Sequence, residues 1–181
     1  KLANALDATK EAVKDLLDKQ IPIIFTEGGE TRQASVFNAL KTLKAHPEFE
    51  VEVVAIHDGA RPFIKKETIM DCMAYAKLFG AAAPAIAVAD SLVRVGEDGF
   101  INGRIDRNGA YQIQTPQVFS WPAIYTAHEK ASKADKSYTD DTEIYSDFAG
   151  QVAIVAGSPE NRKITFPKDV PSFEQNSENT I

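Results

Sequence analysis

The feature that most constrains this chain is a rhythm. Short apolar runs alternate with longer stretches whose apolar residues recur every three or four positions. Leu2, Leu6, Val13, Leu16 and Leu17 mark a helix over residues 1–18, and residues 21–25 follow as a strand. Val36, Leu40 and Leu43 stripe a second helix, after which residues 51–56 read as a second strand. A third helix over about 66–78 leads into a third strand over 81–89. A strand covered on both faces is apolar throughout, whereas a helix packed on one side carries a 3.6-residue period. The order helix, strand, helix, strand, helix, strand predicts an α/β protein with a largely parallel sheet and right-handed crossovers.

The middle of the chain breaks this rhythm. Residues 91–95 and 100–107 are strand-like and flank Gly96-Glu97-Asp98-Gly99, a hairpin turn signal. The hairpin carries little apolar surface for its length and would be marginal alone. It is therefore expected to lean on something outside its own core, such as another subunit. A strand resumes over 112–119, and a helix over 121–131 has Pro122 in its first turn. Thr139 reads as the N-cap of a helix over 140–148, whose first turn is acidic. A last strand spans 152–156, and Pro167-Lys168-Asp169 starts a further helix. The polar tail over about 174–181 reads as flexible. Nothing repeats and no linker divides the chain, so residues 1–181 are expected to form one domain, with the hairpin arm at about 91–108.

Charge and cysteine content narrow the function classes. Twenty Lys and Arg stand against 26 Asp and Glu, a formal net charge of −6. That balance argues against a general nucleic-acid binder. No apolar run reaches the roughly 18–20 residues of a membrane span. The single cysteine, Cys72, excludes a disulfide framework and any multi-cysteine zinc site. Between Met70 and Met73 on a helix, it reads as core. The chain starts at Lys1 without leader composition. A bacterial cytoplasm is the expected location, and a plastid stroma would suit the same composition.

In a parallel α/β sheet, ligands bind beyond the carboxyl ends of the strands. Four polar clusters fall there: Gly28 to Arg32, His57 to Arg61, Asp90-Ser91, and Lys163 with Thr165. Asp58 and Glu30 can accept from ribose hydroxyls or base amines, or hold a divalent cation. Arg61, Arg107 and Lys163 can neutralise phosphate. Ser91, Thr115 and Thr139 can bond phosphate or hydroxyl oxygens. Such a set suits a nucleotide and a phosphorylated polyol. Simpler readings stand beside these. Gly28-Gly29 also makes an ordinary tight turn, and Asp58 with Arg61 a local ion pair. His57 reads as a packed histidine, and Ser35 and Thr139 as caps or surface hydroxyls. Asp140-Asp141 fits a charged first turn better than a metal site. Patterns for P-loops, Gly-x-Gly-x-x-Gly loops, nucleophile elbows and His-Glu-x-x-His helices do not occur.

Six stretches share an order and spacing with one family. They are Gly28-Gly29-Glu30-Thr31-Arg32-Gln33-Ala34-Ser35-Val36, His57-Asp58-Gly59-Ala60-Arg61-Pro62, Asp106-Arg107, Gln114-Thr115-Pro116-Gln117-Val118-Phe119, Thr139-Asp140-Asp141 and Glu160-Asn161-Arg162-Lys163-Ile164-Thr165. On these the chain resembles the 2-C-methyl-D-erythritol 4-phosphate cytidylyltransferases. The ribitol-5-phosphate cytidylyltransferases, which share that scaffold, are the nearest alternative. The Asp106-Arg107 and Thr139-Asp140-Asp141-Thr142 forms lean to the former.

The resemblance implies a Rossmann-like three-layer sandwich of the nucleotide-diphospho-sugar transferase type. It has a mostly parallel sheet and a protruding hairpin arm through which a homodimer forms. CTP and the polyol phosphate are the implied substrates, with a magnesium ion on the triphosphate. Gly29, Glu30 and Ser35 would contact the cytidine, with Asp58 on the ribose and metal side. Arg61, Ser91, Arg107, Thr115, Thr139 and Lys163 would hold the polyol phosphate. Lys163, Asp58 and Arg61 would take the catalytic positions. Glu30 stands where the family commonly has Asp, Gly59 where it has Ala, and Ser91 where it has Thr. The family's opening strand, its Ala-Ala-Gly-x-Gly-x-Arg loop and the following Pro-Lys pair find no match, which suggests an N-terminally incomplete domain. A non-catalytic relative lacking the phosphate loop is the remaining alternative.

Overall fold

The computed structural model describes residues 22–166 and residue 169. The helix expected over 1–18, the start of the helix expected at Pro167-Lys168 and the polar tail lie outside the described residues.

The first helix, α1 (Arg32–Lys44), begins where Thr31 turns extended and its hydroxyl accepts the Ala34 N–H at 3.1 Å. Lys41 and Lys44 occupy its last turn, the end a helix dipole makes negative. Strand β1 (Val53–Ile56) leads to α2 (Lys66–Phe79), which stops at Gly80 with φ +92°. Strand β2 (Ala81–Ala87) follows, then β3 (Leu92–Val95), β4 (Ile101–Ile105), β5 (Tyr111–Ile113) and β6 (Gln117–Ser120). Helices α3 (Ala123–Ala131) and α4 (Asp141–Phe148) precede β7 (Ala153–Ala156).

Strand β2 is the centre of the sheet. It pairs parallel with β7 and antiparallel with both β5 and β6. Ala82 is opposite Val118 and Ala153, and Ala85 is opposite Ile113 and Ala156, so β7 lies on the edge that β5 and β6 leave. Strand β1 pairs antiparallel with β6 and so runs in the same direction as β2 and β7. The sheet is mixed: three strands share one direction, and the 111–120 segment runs against them.

The faces of this sheet separate two apolar layers. Val118 and Ala82 pack with Cys72 and Ala76 of α2. Phe119 and Ala81 pack with Leu40, Ile124 and Tyr145, which belong to α1, α3 and α4. Helix α2 covers one face and the other three helices cover the opposite one, as a three-layer sandwich requires. Phe119 is fully buried, and truncating such a residue to alanine costs about 3–5 kcal/mol. Cys72 is core, as its sequence setting suggests, and burial pushes its thiol up to about 11, with Asp71 adding to the shift.

Three expectations need correction. Residues 21–25 were expected as a strand, but within the described part residues 22–29 form none. This segment lies along α1, where Thr42 donates to Thr26 at 3.0 Å and Asn38 reaches the Glu27 carbonyl at 3.4 Å. An apolar run becomes a strand only where a neighbouring edge can take up its hydrogen bonds. The expected strand over 112–119 is broken in two: β5 pairs with β2 in one register and β6 in another, offset by two residues. A cis Thr115-Pro116 bond lies in the break. Finally, the N-cap of α4 is Asp140, not Thr139, because the Asp140 carboxylate accepts from both Thr142 and Glu143 N–H groups.

Strands β3 and β4 form a separate two-stranded sheet with a bulge between Arg94 and Val95. Its turn is closed by the Gly96 N–H to the Phe100 carbonyl, and Gly99 sits at φ +81°, where side chains are disfavoured. Val95, Phe100, Ile101 and Ile105 are exposed on it.

Candidate active site

The loop that leaves β1 is held from beneath by the break between β5 and β6. The Thr115 hydroxyl accepts the Asp58 N–H at 3.0 Å and lies 2.9 Å from His57 Nδ1. His57 Nε2 is 3.0 Å from the Arg61 carbonyl. A carbonyl can only accept, so Nε2 carries the hydrogen, and in the neutral ring Thr115 donates to Nδ1. Thr115 is buried, with its hydroxyl committed to this loop. The structure therefore gives it a supporting position behind Asp58, where the sequence reading had it facing phosphate.

A second loop is fastened over the first by two buried amides. Gln114 Nε2 donates to the Ser158 carbonyl at 2.9 Å, and its Oε1 accepts the Ser158 N–H at 3.2 Å. Asn161 Nδ2 donates to the Thr115 carbonyl at 2.9 Å. The Asn161 carbonyl accepts from Arg61 Nη1 at 2.8 Å, and the Ile164 N–H reaches the Ala60 carbonyl at 2.8 Å. These bonds fix the 161–165 segment beside residues 58–61 and bring Lys163 Nζ to 3.2 Å from Asp58 Oδ2.

Asp58 is thus ringed by cations. Arg61 Nε lies 3.5 Å from Oδ2, and Arg32 Nε lies 3.6 Å from Oδ1. Burial raises the Asp58 carboxyl, but Lys163 first, then Arg32 and Arg61, outweigh it and hold the group below the usual carboxylate range. Arg32 also reaches Asp141 Oδ2 at 2.7 Å, a much closer contact than its approach to Asp58. Burial lowers the Arg32 pKa, yet Asp141, with smaller help from Asp58 and Asp140, leaves it above the usual value. Three cations thus lie within 3.6 Å of the single Asp58 carboxylate, a local concentration of positive charge at the end of β1 suited to phosphate.

Arg32 links this cluster to the turn before α1. The Ser35 hydroxyl accepts the Gly29 N–H at 2.9 Å and donates to the Thr31 carbonyl at 2.9 Å, pinning the turn to the helix. A Cβ on Gly29 would lie 2.4 Å from Ala34 Cβ, so only glycine permits this approach. Glu30 is exposed and makes no ion pair among the described residues.

Sequence-predicted residues thus divide into groups. Asp58, Arg61, Thr115 and Lys163 converge, and Gly29, Glu30 and Ser35 form the adjoining turn. Ser91 and Arg107 sit at the base of the hairpin, where Arg107 Nη1 donates to the Ala89 carbonyl, and neither contacts the Asp58 cluster. Thr139 is exposed, and its N–H and hydroxyl face Glu143 at 3.3 and 3.4 Å. Sequence reading gave no site role to Gln114, Asn161 or His128, read Asp141 as part of a charged first turn, and had Arg32 only within the strand-end cluster. The long spacing between the paired amides hides their partnership.

Among the described residues no three His, Cys, Asp or Glu side chains come together as a metal cluster. No described helix is long and apolar enough to cross a membrane. A groove of about 290 Å³ between α1 and the end of α3 is lined by Thr31, Phe37, Lys41 and Lys136 and does not include the Asp58 cluster.

Comparison with known proteins gives this geometry a family. Residues 3–176 match the family model described as 2-C-methyl-D-erythritol 4-phosphate cytidylyltransferase. A protein of that name from Clostridium novyi is 42% identical over 163 residues, 90% of this chain and 68% of the relative. One from Clostridium kluyveri is 39% identical over 153 residues, 84% of this chain and 63% of the relative. The chain therefore spans roughly two thirds of the length of these relatives. Among solved structures, 4-diphosphocytidyl-2C-methyl-D-erythritol synthase from Anaerococcus prevotii matches with a TM-score of 0.74 and 31% identity, covering 88% of this chain and 70% of its own. The Thermus thermophilus cytidylyltransferase matches with a TM-score of 0.73 and 31% identity, covering 83% and 71%. With the matched segments carrying the Asp58, Arg61 and Lys163 cluster, the chain belongs to the 2-C-methyl-D-erythritol 4-phosphate cytidylyltransferase family.

Proposed function

We propose that the protein transfers a cytidylyl group from CTP to 2-C-methyl-D-erythritol 4-phosphate, giving 4-diphosphocytidyl-2-C-methyl-D-erythritol and pyrophosphate. The observation that carries this reading is the convergence of Arg32, Arg61 and Lys163 on Asp58 at the end of β1. An acceptor phosphate oxygen attacks the α-phosphorus of CTP. That bond forms as the bond to the β-phosphate bridging oxygen breaks, and the electron pair leaves with pyrophosphate. Such chemistry depends on positioning and on cations placed where charge develops.

Arg61 has one side of its fork committed to the Asn161 carbonyl, while among the described residues Nε has no hydrogen-bond partner and approaches Asp58 at 3.5 Å. Lys163, half-exposed, can turn from Asp58 to an incoming phosphate. Both residues thus exchange a loose carboxylate contact for a phosphate one. The turn formed by Gly29, Glu30 and Ser35 would receive the cytidine. Ser91, Arg107 and Thr139 would complete the acceptor side from more exposed positions, with Thr115 acting through Asp58.

A magnesium ion fits the site in a limited way. The contacts to Asp58 are long, at 3.2–3.6 Å, so its carboxylate is free to offer one ligand to a cation that otherwise keeps phosphate oxygens and water. The ion would supply charge neutralisation on the triphosphate. The exposed hairpin is read as the arm of a homodimer that brings Ser91 and Arg107 to a shared site. The reaction is placed in the cytoplasm, where the unpaired Cys72 stays reduced.

The test is pyrophosphate release by the natural protein that contains this chain, with CTP, magnesium and either methylerythritol phosphate or ribitol 5-phosphate. Turnover with the former at least tenfold above the latter supports the reading. The reverse preference reassigns the acceptor, and release with neither overturns it.

A further inference from the structure

His128 lies on the buried stripe of α3 with Ile124, Ala127 and Ala131. It is fully removed from solvent, and its ring stacks on Phe37 with the planes 22° apart. Only one of its nitrogens is used. Nε2 lies 3.0 Å from Asp141 Oδ1, while Nδ1 has no hydrogen-bond partner among the described residues. A leucine would fill much the same space without an unsatisfied buried nitrogen, a defect that costs about 1–3 kcal/mol. Packing does not account for the imidazole, whereas the bond made by Nε2 does.

Asp141 is equally buried and has a polar group on three sides, the Arg32 approach to Oδ2 being an ion pair rather than an aligned hydrogen bond. Its N–H donates to Gln117 Oε1 at 3.1 Å, His128 faces Oδ1, and Arg32 Nη2 lies 2.7 Å from Oδ2. The neighbouring donor on the same edge of that guanidinium, Nε, faces Asp58 Oδ1 at 3.6 Å, so one fork is divided between two carboxylates. A continuous polar line therefore runs from the interior beneath α3 to the carboxylate beyond β1. Arginine prefers to grip a carboxylate with both arms of its fork. With Oδ1 taken by His128, Asp141 offers Arg32 one oxygen, and Nε remains turned toward Asp58.

We propose that His128 is a positioning residue for the Asp58 site: by occupying Asp141 Oδ1 it keeps Arg32 from closing bidentately on Asp141 and withdrawing from Asp58. This rests on the reading of Asp58 as part of a cytidylyl-transfer site. Small displacements of a positioned group cost up to about a hundredfold in rate. His128→Leu is expected to lower kcat about tenfold, with less than about a twofold change in the acceptor KM. His128→Gln, which keeps a donor near Nε2, is expected to recover most of that loss.

The test measures kcat, KM and thermal stability for His128→Leu, His128→Gln, Arg32→Met and the Arg32→Met/His128→Leu double variant of the natural protein. The Arg32 Nε–H resonance is followed by NMR in parallel. Because His128 acts through Arg32, its substitution is expected to add nothing in the Arg32→Met background. The resonance is expected to stay sharp in His128→Gln and to shift and broaden in His128→Leu. Fully additive effects, equal impairment by Gln and Leu, or an unchanged resonance would overturn the proposal. A parent protein without transfer activity would overturn the functional reading alone, and the Arg32 resonance would still decide the role of His128.

Discussion

The loops beyond the strand ends and the β3–β4 hairpin are built in opposite ways. Residues 57–61 and 161–165 are stitched to each other and to the 114–117 break by Thr115, Gln114 and Asn161, three side chains buried beneath the surface they organise. Among the described residues the β3–β4 hairpin pairs only with itself, and Phe100 at its tip is 73% exposed. The first region carries its own support, so its geometry is a property of the single chain. The second leaves apolar side chains uncovered, on a two-stranded sheet that has little support of its own.

Four measurements would break or sharpen this contrast. Asp58→Asn is expected to lower turnover by about a hundredfold, since it removes the carboxylate around which three cations are arranged. Pyrophosphate release together with an unchanged circular dichroism spectrum would establish that the loss is local. Parent-like turnover would mean that the stitched region is not the working one. Thr115→Val should lower stability by about 1–3 kcal/mol in urea titrations, because it strands the Asp58 N–H and His57 Nδ1. A variant as stable as the parent would show that the loop holds without this hydroxyl.

On the hairpin the expected pattern reverses. Phe100→Ser with Ile101→Ser should change the chain's own stability by less than about 0.5 kcal/mol, the usual range at exposed positions. Sedimentation should instead show weaker self-association, and a monomeric parent would remove the homodimer reading. The smallest effect is an acid one. The native Asp58 pKa lies below its unfolded value, so its contribution is fully present above roughly pH 4 and is lost as pH falls through the lower native value. The stability difference between parent and Asp58→Asn should therefore shrink below that pH, and a difference constant to pH 2 would contradict it.

What could be read from sequence followed the range of the forces involved. Helix α2 and strand β2 were legible because apolar period alone specifies them, and the hairpin because Asp98-Gly99 suits only a tight turn. Asp58, Arg61 and Lys163 were legible as strand-end residues. Residues 22–25 were misread because a strand is defined by its neighbour, and an apolar run is equally content against α1. Gln114 and Asn161 went unseen because buried amides matter only through partners distant in sequence. His128 did leave a trace: it falls at the spacing of Ile124, Ala127 and Ala131, on a stripe that is otherwise apolar. A polar residue on such a stripe needs a buried partner, but nothing local names Asp141.

The offset between β5 and β6 sets a rule for how this site can vary. Side chains alternate across a sheet, so an excursion of two residues returns the strand with its faces unchanged. Val118 therefore still meets α2, and Phe119 still meets α1 and α3. Thr115 and Pro116 thus lie in a two-residue excursion within an otherwise continuous strand. Variants that delete or insert one residue between Ile113 and Gln117 would exchange the two cores, whereas changes of two would alter the loop beneath Asp58 and leave the sandwich intact. In this segment, length is free to drift only in even steps.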